Sequence, residues 1–171
     1  MNIVTTTGVF PPCYPPKKAL TRLLSCGFRH LDLALDYLVQ KPDFPFVTDR
    51  WEEWARELSD FAKANGVRYT HAHADDDVSS RSELMLRSFD TCKILGVPYL
   101  VIHPIFRRQD KSIIESAEEF ISVNREATFP LLEHAERTGV TILSENLLWG
   151  ASIYPSVISE LVDGLDVSEQ L

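Results

Sequence analysis

The chain has 171 residues, 44% of them hydrophobic, enough apolar material for one domain of ordinary size. A formal net charge of −8 weighs against a phosphate backbone as the main partner. No apolar run reaches the ~18 residues of a membrane span, MNIVTTTG lacks the basic start and apolar core of a signal peptide, and the three cysteines have no CxxC spacing, so the expected compartment is a reducing cytoplasm.

Strand and helix signals alternate along the chain. NIVTTTG reads as a first strand, and the proline-rich loop FPPCYPP leads to a helix, KKALTRLLSC, stopped by Gly27. HLDLAL is the second strand, with Leu31, Leu33 and Leu35 alternating against His30, Asp32 and Ala34. After YLVQKPDFPFV a second helix is expected, capped by Thr48 or Asp49, with an apolar stripe of Trp51, Trp54, Leu58 and Phe61. VRYTHAH is a third strand ending at His73; the next helix opens with the capping-box spacing of Ser80 and Glu83 and runs to Leu95. VPYLVIH ends at His103, ahead of Pro104. From Ser112 to Thr138 the pattern predicts a long helix broken or kinked at Pro130, which cannot donate to the ladder, with Asn124 a candidate cap for its second half. TILSEN is the fifth strand, and PSVISELVD a last helix, opened by Pro155 and stopped at Gly164.

Five βα units imply a parallel sheet with helices as crossovers. A doubly wound sheet usually carries a glycine-rich phosphate loop after its first strand, and here there is only Gly8. The strands carry polar residues in alternation (Asp32, then His71 and His73, then Glu145), which suits the inside of a TIM barrel better than strands covered on both faces. The expected fold class is therefore α/β, a (β/α)8 TIM barrel, incomplete. Eight units need about 250 residues, so residues 1–171 are expected to be the N-terminal portion of a single barrel domain in a longer protein. A homo-oligomer that completes itself is the lesser explanation. By itself the chain is expected to be inactive and marginally soluble, with open strand edges.

Gly66, Gly96 and Gly139 each follow a helix-like stretch and precede a valine. His73 and His103 lie 7 residues beyond the first two, and Glu145 lies 6 beyond the third. Two imidazoles and a carboxylate at matched depth on successive parallel strands are expected at one edge of the sheet.

With CGFRHLDL, NGVRYTHAHA, LGVPYLVIHP and GVTILSEN in this order, the chain resembles the xylose isomerase-like TIM-barrel superfamily of sugar phosphate isomerases and epimerases, to which endonuclease IV, the apurinic/apyrimidinic endonuclease, also belongs. It departs in offering Asp32 where many relatives have Glu, and in lacking strands six to eight, which supply the family's later metal ligands and second catalytic carboxylate. The resemblance implies that Glu145 binds a divalent metal (Mn2+, Mg2+, Co2+ or Zn2+) and acts as general base next to a carbonyl. The competing reading of Glu145 is a salt-bridged carboxylate inside the barrel, but no Lys or Arg occurs after Val140. Histidines at the places of His73 and His103 bind metal in the endonuclease-like branch and contact substrate in the isomerase branch; both roles stay open.

Trp149, with Phe10 and Tyr14, is a candidate apolar wall for a sugar ring, with simple packing as the alternative. His71, one layer deeper than His73, reads as a packed or supporting residue; His30, His134 and Asn146 read as structural. Asp75, Asp76 and Asp77 read as a solvated loop rather than a second metal site, and Arg107 and Arg108 as solvated rather than phosphate-binding. The expected function is a metal-dependent isomerase or epimerase of a sugar, sugar phosphate or polyol, by proton transfer. Alternatives are a keto-inositol dehydratase, a zinc-dependent apurinic/apyrimidinic endonuclease, or a degenerate barrel that only binds a ligand.

Overall fold

The computed structural model describes residues 3–11, 14–36, 38, 43–74 and 83–165. In chain order they form β1 (Val4–Thr6), α1 (Pro16–Ser25), β2 (His30–Ala34), α2 (Trp51–Ala64), β3 (Arg68–His73), α3 (Glu83–Leu95), β4 (Tyr99–Ile102), α4 (Ala117–Thr138), β5 (Thr141–Ser144) and α5 (Pro155–Asp163). Short 3-10 turns occupy Thr7–Val9, Pro45–Val47 and Gly150–Ile153. No helix among the described residues is long and apolar enough to cross a membrane.

All strand pairs are parallel and the sheet order is β1-β2-β3-β4-β5. A doubly wound sheet reverses direction at a switch point, whereas a sheet that grows strand by strand to one side is the wall of a barrel. Leu31, Leu33, Leu35, Tyr69, Ala72, Leu100 and Ile102 pack against Leu20 and Leu23 of α1, Trp54 and Leu58 of α2, Phe89 and Cys92 of α3, and Leu131 of α4. The opposite, inner face carries the polar side chains. It also leaves Val4 (40%), Tyr99 (44%) and Leu143 (40%) exposed, so this face lacks the apolar cover that the helix face has.

The left-handed conformation expected after the helices is present: Gly66, Gly96 and Gly139 have φ of 64°, 69° and 71°. The equal spacing beyond them does not give the expected equal depth: His73 pairs with Val101, two residues before His103. Tyr69 pairs with Leu31 on the helix side, and strict alternation from Tyr69 would put His71 and His73 on that side too. Instead Asp32 pairs with His71 and Ala34 with His73, leaving Thr70 as an extra residue, a β-bulge that turns both histidines to the inner face. β5 compensates differently: Thr141 pairs with Tyr99, so an offset of 6 in β5 matches an offset of 7 in β4.

Several local expectations are corrected. α2 starts one or two residues later than read, with Arg50 rather than Thr48 or Asp49 at its N-cap; the Thr48 hydroxyl instead accepts from the Arg50 N–H at 3.2 Å. α1 includes Pro16 in its first turn, where a missing N–H costs nothing. α4 begins at Ala117, with the Ser116 hydroxyl accepting from Glu119 N–H at 3.3 Å, and is helical through Pro130. The acceptor that Pro130 leaves unpaired belongs to Glu126, an exposed residue whose carbonyl can turn to water. Asn124 is therefore no cap. It is buried inside α4, where its Oδ1 accepts from Ile105 N–H at 2.6 Å and its Nδ2 donates to Ile105 O at 2.9 Å and Phe120 O at 2.8 Å, tying down the loop just after His103. Ser80, Cys13 and Asp75, Asp76 and Asp77 lie outside the described residues.

The Trp54 indole N–H and the Tyr69 hydroxyl are buried without a hydrogen-bond partner among the described residues. Both line a cavity of ≈ 40 Å³ on the helix side of the sheet. Burial pushes the Tyr69 phenol pKa up, because leaving water disfavours the charged phenolate. Tyr69→Phe removes a desolvated hydroxyl, so the variant is expected to match the parent or gain about 1 kcal/mol in urea unfolding. A lower midpoint would mean that the hydroxyl has a partner, such as a water in that cavity.

Candidate metal centre

Four of the five strands deliver groups to one region of the inner face. Asp32 is on β2, His71 and His73 on β3, His103 directly follows β4, and Glu145 directly follows β5. The ladder extends past the strand ends: Ala74 N–H donates to Val101 O at 2.9 Å and Glu145 N–H to Ile102 O at 3.2 Å. Backbone pairing thus holds Glu145 beside His103 before any side-chain contact forms.

Glu145 Oε2 lies 2.9 Å from His103 Nε2 and 3.6 Å from His73 Nε2. One donor atom from each of the three residues falls within 4.8 Å of the others. The edge of a tetrahedral shell with ~2.05 Å metal–ligand bonds is roughly 3.3 Å, so the two carboxylate–imidazole separations bracket what one ion would impose. Two imidazole nitrogens and a carboxylate oxygen suit a divalent ion of borderline softness. The side chains are a quarter to two-fifths exposed (26% for His73, 25% for His103, 43% for Glu145), which leaves room for further ligands from solvent or substrate.

Asp32 was not singled out as a site residue by sequence reasoning, and it is the most buried member of the cluster, with 9% of its side chain exposed. Its Oδ1 is 2.9 Å from His73 Nδ1 and 3.6 Å from His71 Nε2. His71 Nδ1 in turn faces the Thr70 hydroxyl at 3.0 Å. The available signal was its inner-face position on β2, but the bulge that brings His73 to it is invisible in the spacing.

The His73 pKa is raised, chiefly by the hydrogen bond to Asp32; burial opposes this, and the charges of Asp32, Glu145 and Asp36 add to it. A folded-state pKa above the unfolded one, near 6.5, stabilises the fold at lower pH, and that stability is lost as pH rises through the raised value. The metal-free protein is therefore expected to have a lower urea midpoint at about pH 9 than at about pH 6, with a smaller difference in Asp32→Asn. An unchanged difference in the variant would count against this pair as its source. Divalent-metal affinity should move the opposite way, because imidazole must be neutral to ligate.

The other sequence-based candidates have contacts of their own. Trp149 is half exposed at the N-cap of the Gly150–Ile153 turn, where its carbonyl accepts from the Ser152 hydroxyl at 2.5 Å. Phe10 and Tyr14 stack on each other at 4.9 Å and line the helix-side cavity, so they pack instead of walling the inner face. Arg108 is held by both oxygens of Glu119 (2.7 and 2.5 Å) and by Ile113 O, and Arg107 lies over the Phe106 ring at 5.0 Å. His134 pairs with Asp90 at 3.4 Å on the helix layer.

A one-directional parallel sheet with helices outside and convergent polar groups at the C-terminal strand ends defines a TIM-barrel wall with its mouth. The family model described as xylose isomerase-like TIM barrel matches residues 20–171, and the chain belongs to that family. No curated protein matches the sequence. Among solved structures, a zinc-bound structure of the IolI protein is 19% identical, with a TM-score of 0.70 over 97% of this chain and 59% of its own. A D-tagatose 3-epimerase-like protein is 16% identical, with a TM-score of 0.69 over 95% of this chain and 60% of its own. A xylose isomerase-like TIM barrel protein from Mycobacterium smegmatis in complex with magnesium is 14% identical, with a TM-score of 0.67 over 96% of this chain and 61% of its own. The chain thus spans about three-fifths of the length of these structures, and at such identities the likeness is one of fold.

Proposed function

We propose that this chain carries part of the active site of a divalent-metal-dependent isomerase or epimerase acting on a small sugar or polyol. The observation that supports it most directly is the shared carboxylate: Glu145 Oε2 sits between His73 Nε2 and His103 Nε2. A divalent ion held by Glu145, His73 and His103 would polarise a substrate carbonyl. Glu145 stands at the open side of the cluster, so its carboxylate takes the proton from the neighbouring carbon. His103 Nε2, 2.9 Å away, holds the carboxylate in place, and Asp32 holds His73. Trp149, four residues beyond Glu145, is proposed to border the substrate.

A second reading has one observation in its favour. Both histidines direct Nε2 at the carboxylate, as metal ligands do, and the endonuclease-like branch uses histidines at these places for zinc. The net charge of −8 argues against it, because duplex binding needs cationic contacts to phosphates.

The test is deuterium exchange at the carbon next to the carbonyl of D-fructose, D-tagatose and D-psicose in D2O. It uses the complete natural protein loaded in turn with Mn2+, Mg2+, Co2+ and Zn2+. Metal-dependent exchange supports the isomerase. No exchange, together with zinc-dependent cleavage of abasic duplex DNA, would replace it with the second reading.

A further inference from the structure

We infer that Asp32 is a positioning residue: it fixes the neutral His73 ring with its proton on Nδ1 and so presents a bare Nε2 to the Glu145 side. This rests on the metal-centre reading above for its functional consequence, but the ring state itself can be observed without any metal.

The geometry leaves little choice of proton position. An ionised carboxylate only accepts hydrogen bonds, and Asp32 Oδ1 lies 2.9 Å from His73 Nδ1. That distance requires a proton on Nδ1. A neutral imidazole has one N–H, so Nε2 then carries a lone pair. Nε2 is 3.6 Å from Glu145 Oε2, beyond hydrogen-bond range but suited to two ligands sharing one ion. Free histidine prefers the other tautomer, with the proton on Nε2 and the metal-facing nitrogen blocked. Asp32 reverses that preference.

Asp32, His71 and His73 also form a close group of donor atoms that would pass for a second cation site. The shared ring argues against two independent sites. With Nδ1 protonated toward Asp32, His73 offers that group no lone pair, and its ligand atom is committed to the side of His103 and Glu145. His71 Nε2, 3.6 Å from the same Asp32 oxygen, is a second basic group facing the carboxylate. The bulge at Thr70 makes the arrangement possible, since it puts the His73 ring on the face where buried Asp32 waits. Such outer carboxylates typically matter to metal affinity by 10- to 100-fold, roughly.

Two measurements test this. In uniformly 15N-labelled, metal-free protein at a pH where imidazole is neutral, long-range 1H–15N spectra should show His73 with a protonated Nδ1 and a bare Nε2. In Asp32→Ala the proton should shift to Nε2. A wild-type ring protonated on Nε2 would overturn the inference with no variant needed. Zinc affinity, by chelator competition, should then fall by about 10- to 100-fold in Asp32→Ala, by less in Asp32→Asn, which keeps an acceptor, and by nothing further when Asp32→Ala is added to His73→Ala. Equal losses in the two backgrounds would mean that Asp32 does not act through His73. If the wild type binds no zinc, the metal-centre reading fails, and the ring spectrum still decides whether Asp32 sets the tautomer.

Discussion

Glu145→Gln is expected, on the proposed isomerase reading, to lower metal-dependent turnover by about 10³-fold or more, while leaving the melting temperature within a few degrees of the parent, roughly the shift that goes with a ΔΔG under 1 kcal/mol. The substitution keeps the shape and removes the charge. An amide oxygen is a weak metal donor and cannot take a proton from carbon. It is also free to turn its NH2 group to His103 Nε2, where the parent presents a carboxylate oxygen at 2.9 Å. Stability changes little because the Glu145 side chain is 43% exposed and no packed cavity depends on it. A factor of 10³ is about 4 kcal/mol of transition-state stabilisation, a reasonable share for a group with two tasks. Steady-state rates with and without saturating metal separate those tasks. Near-parental turnover would remove Glu145 from the mechanism, and a loss rescued by excess metal would leave it as ligand only.

The architecture was legible because its signals are local. Helix-ending glycines recur at five places, and β-branched or alternating apolar runs follow or precede them; these mark the strand sequence, and the alternating polar residues favour a barrel over a doubly wound sheet. The convergence of His73, His103 and Glu145 was legible from their offsets, though only in part for the right reason. The equal offsets of His73 and His103 do not give equal depth, since His73 pairs with Val101, two residues before His103; His73 faces inward through the bulge at Thr70, and nothing in VRYTHAH marks that bulge, Thr70 being neither Gly nor Pro. Asp32 could be placed on the inner face, but its bond to His73 spans 41 residues and depends on register. Pro130 shows the opposite failure. A strong local signal for a break was overridden because its cost falls on an exposed carbonyl, while Phe120 and Leu131 on either side of it are buried in the core. Phe10 and Tyr14 looked like a ligand wall because loop aromatics carry no mark of the face they will cover.

Removing the imidazoles should separate binding from proton transfer. His103→Ala and His73→Ala are each expected to weaken zinc binding by ~10²-fold, taking roughly 3 kcal/mol per ligand as one quarter of the apparent binding energy of a four-ligand zinc site. Neither should abolish folding, because both side chains are about a quarter exposed and leave the helix-side core untouched. The His73 loss should also carry a pH dependence. The His73 pKa is raised, and its ring ligates only when neutral. Its removal should flatten the rise of zinc affinity with pH. Isothermal titration with zinc between about pH 6 and pH 9 reads both the affinity and the protons released. If His73→Ala kept the full pH dependence and the full affinity, His73 would be a substrate contact or a structural residue, and the ligand set would have to be rebuilt around His103 and Glu145 alone.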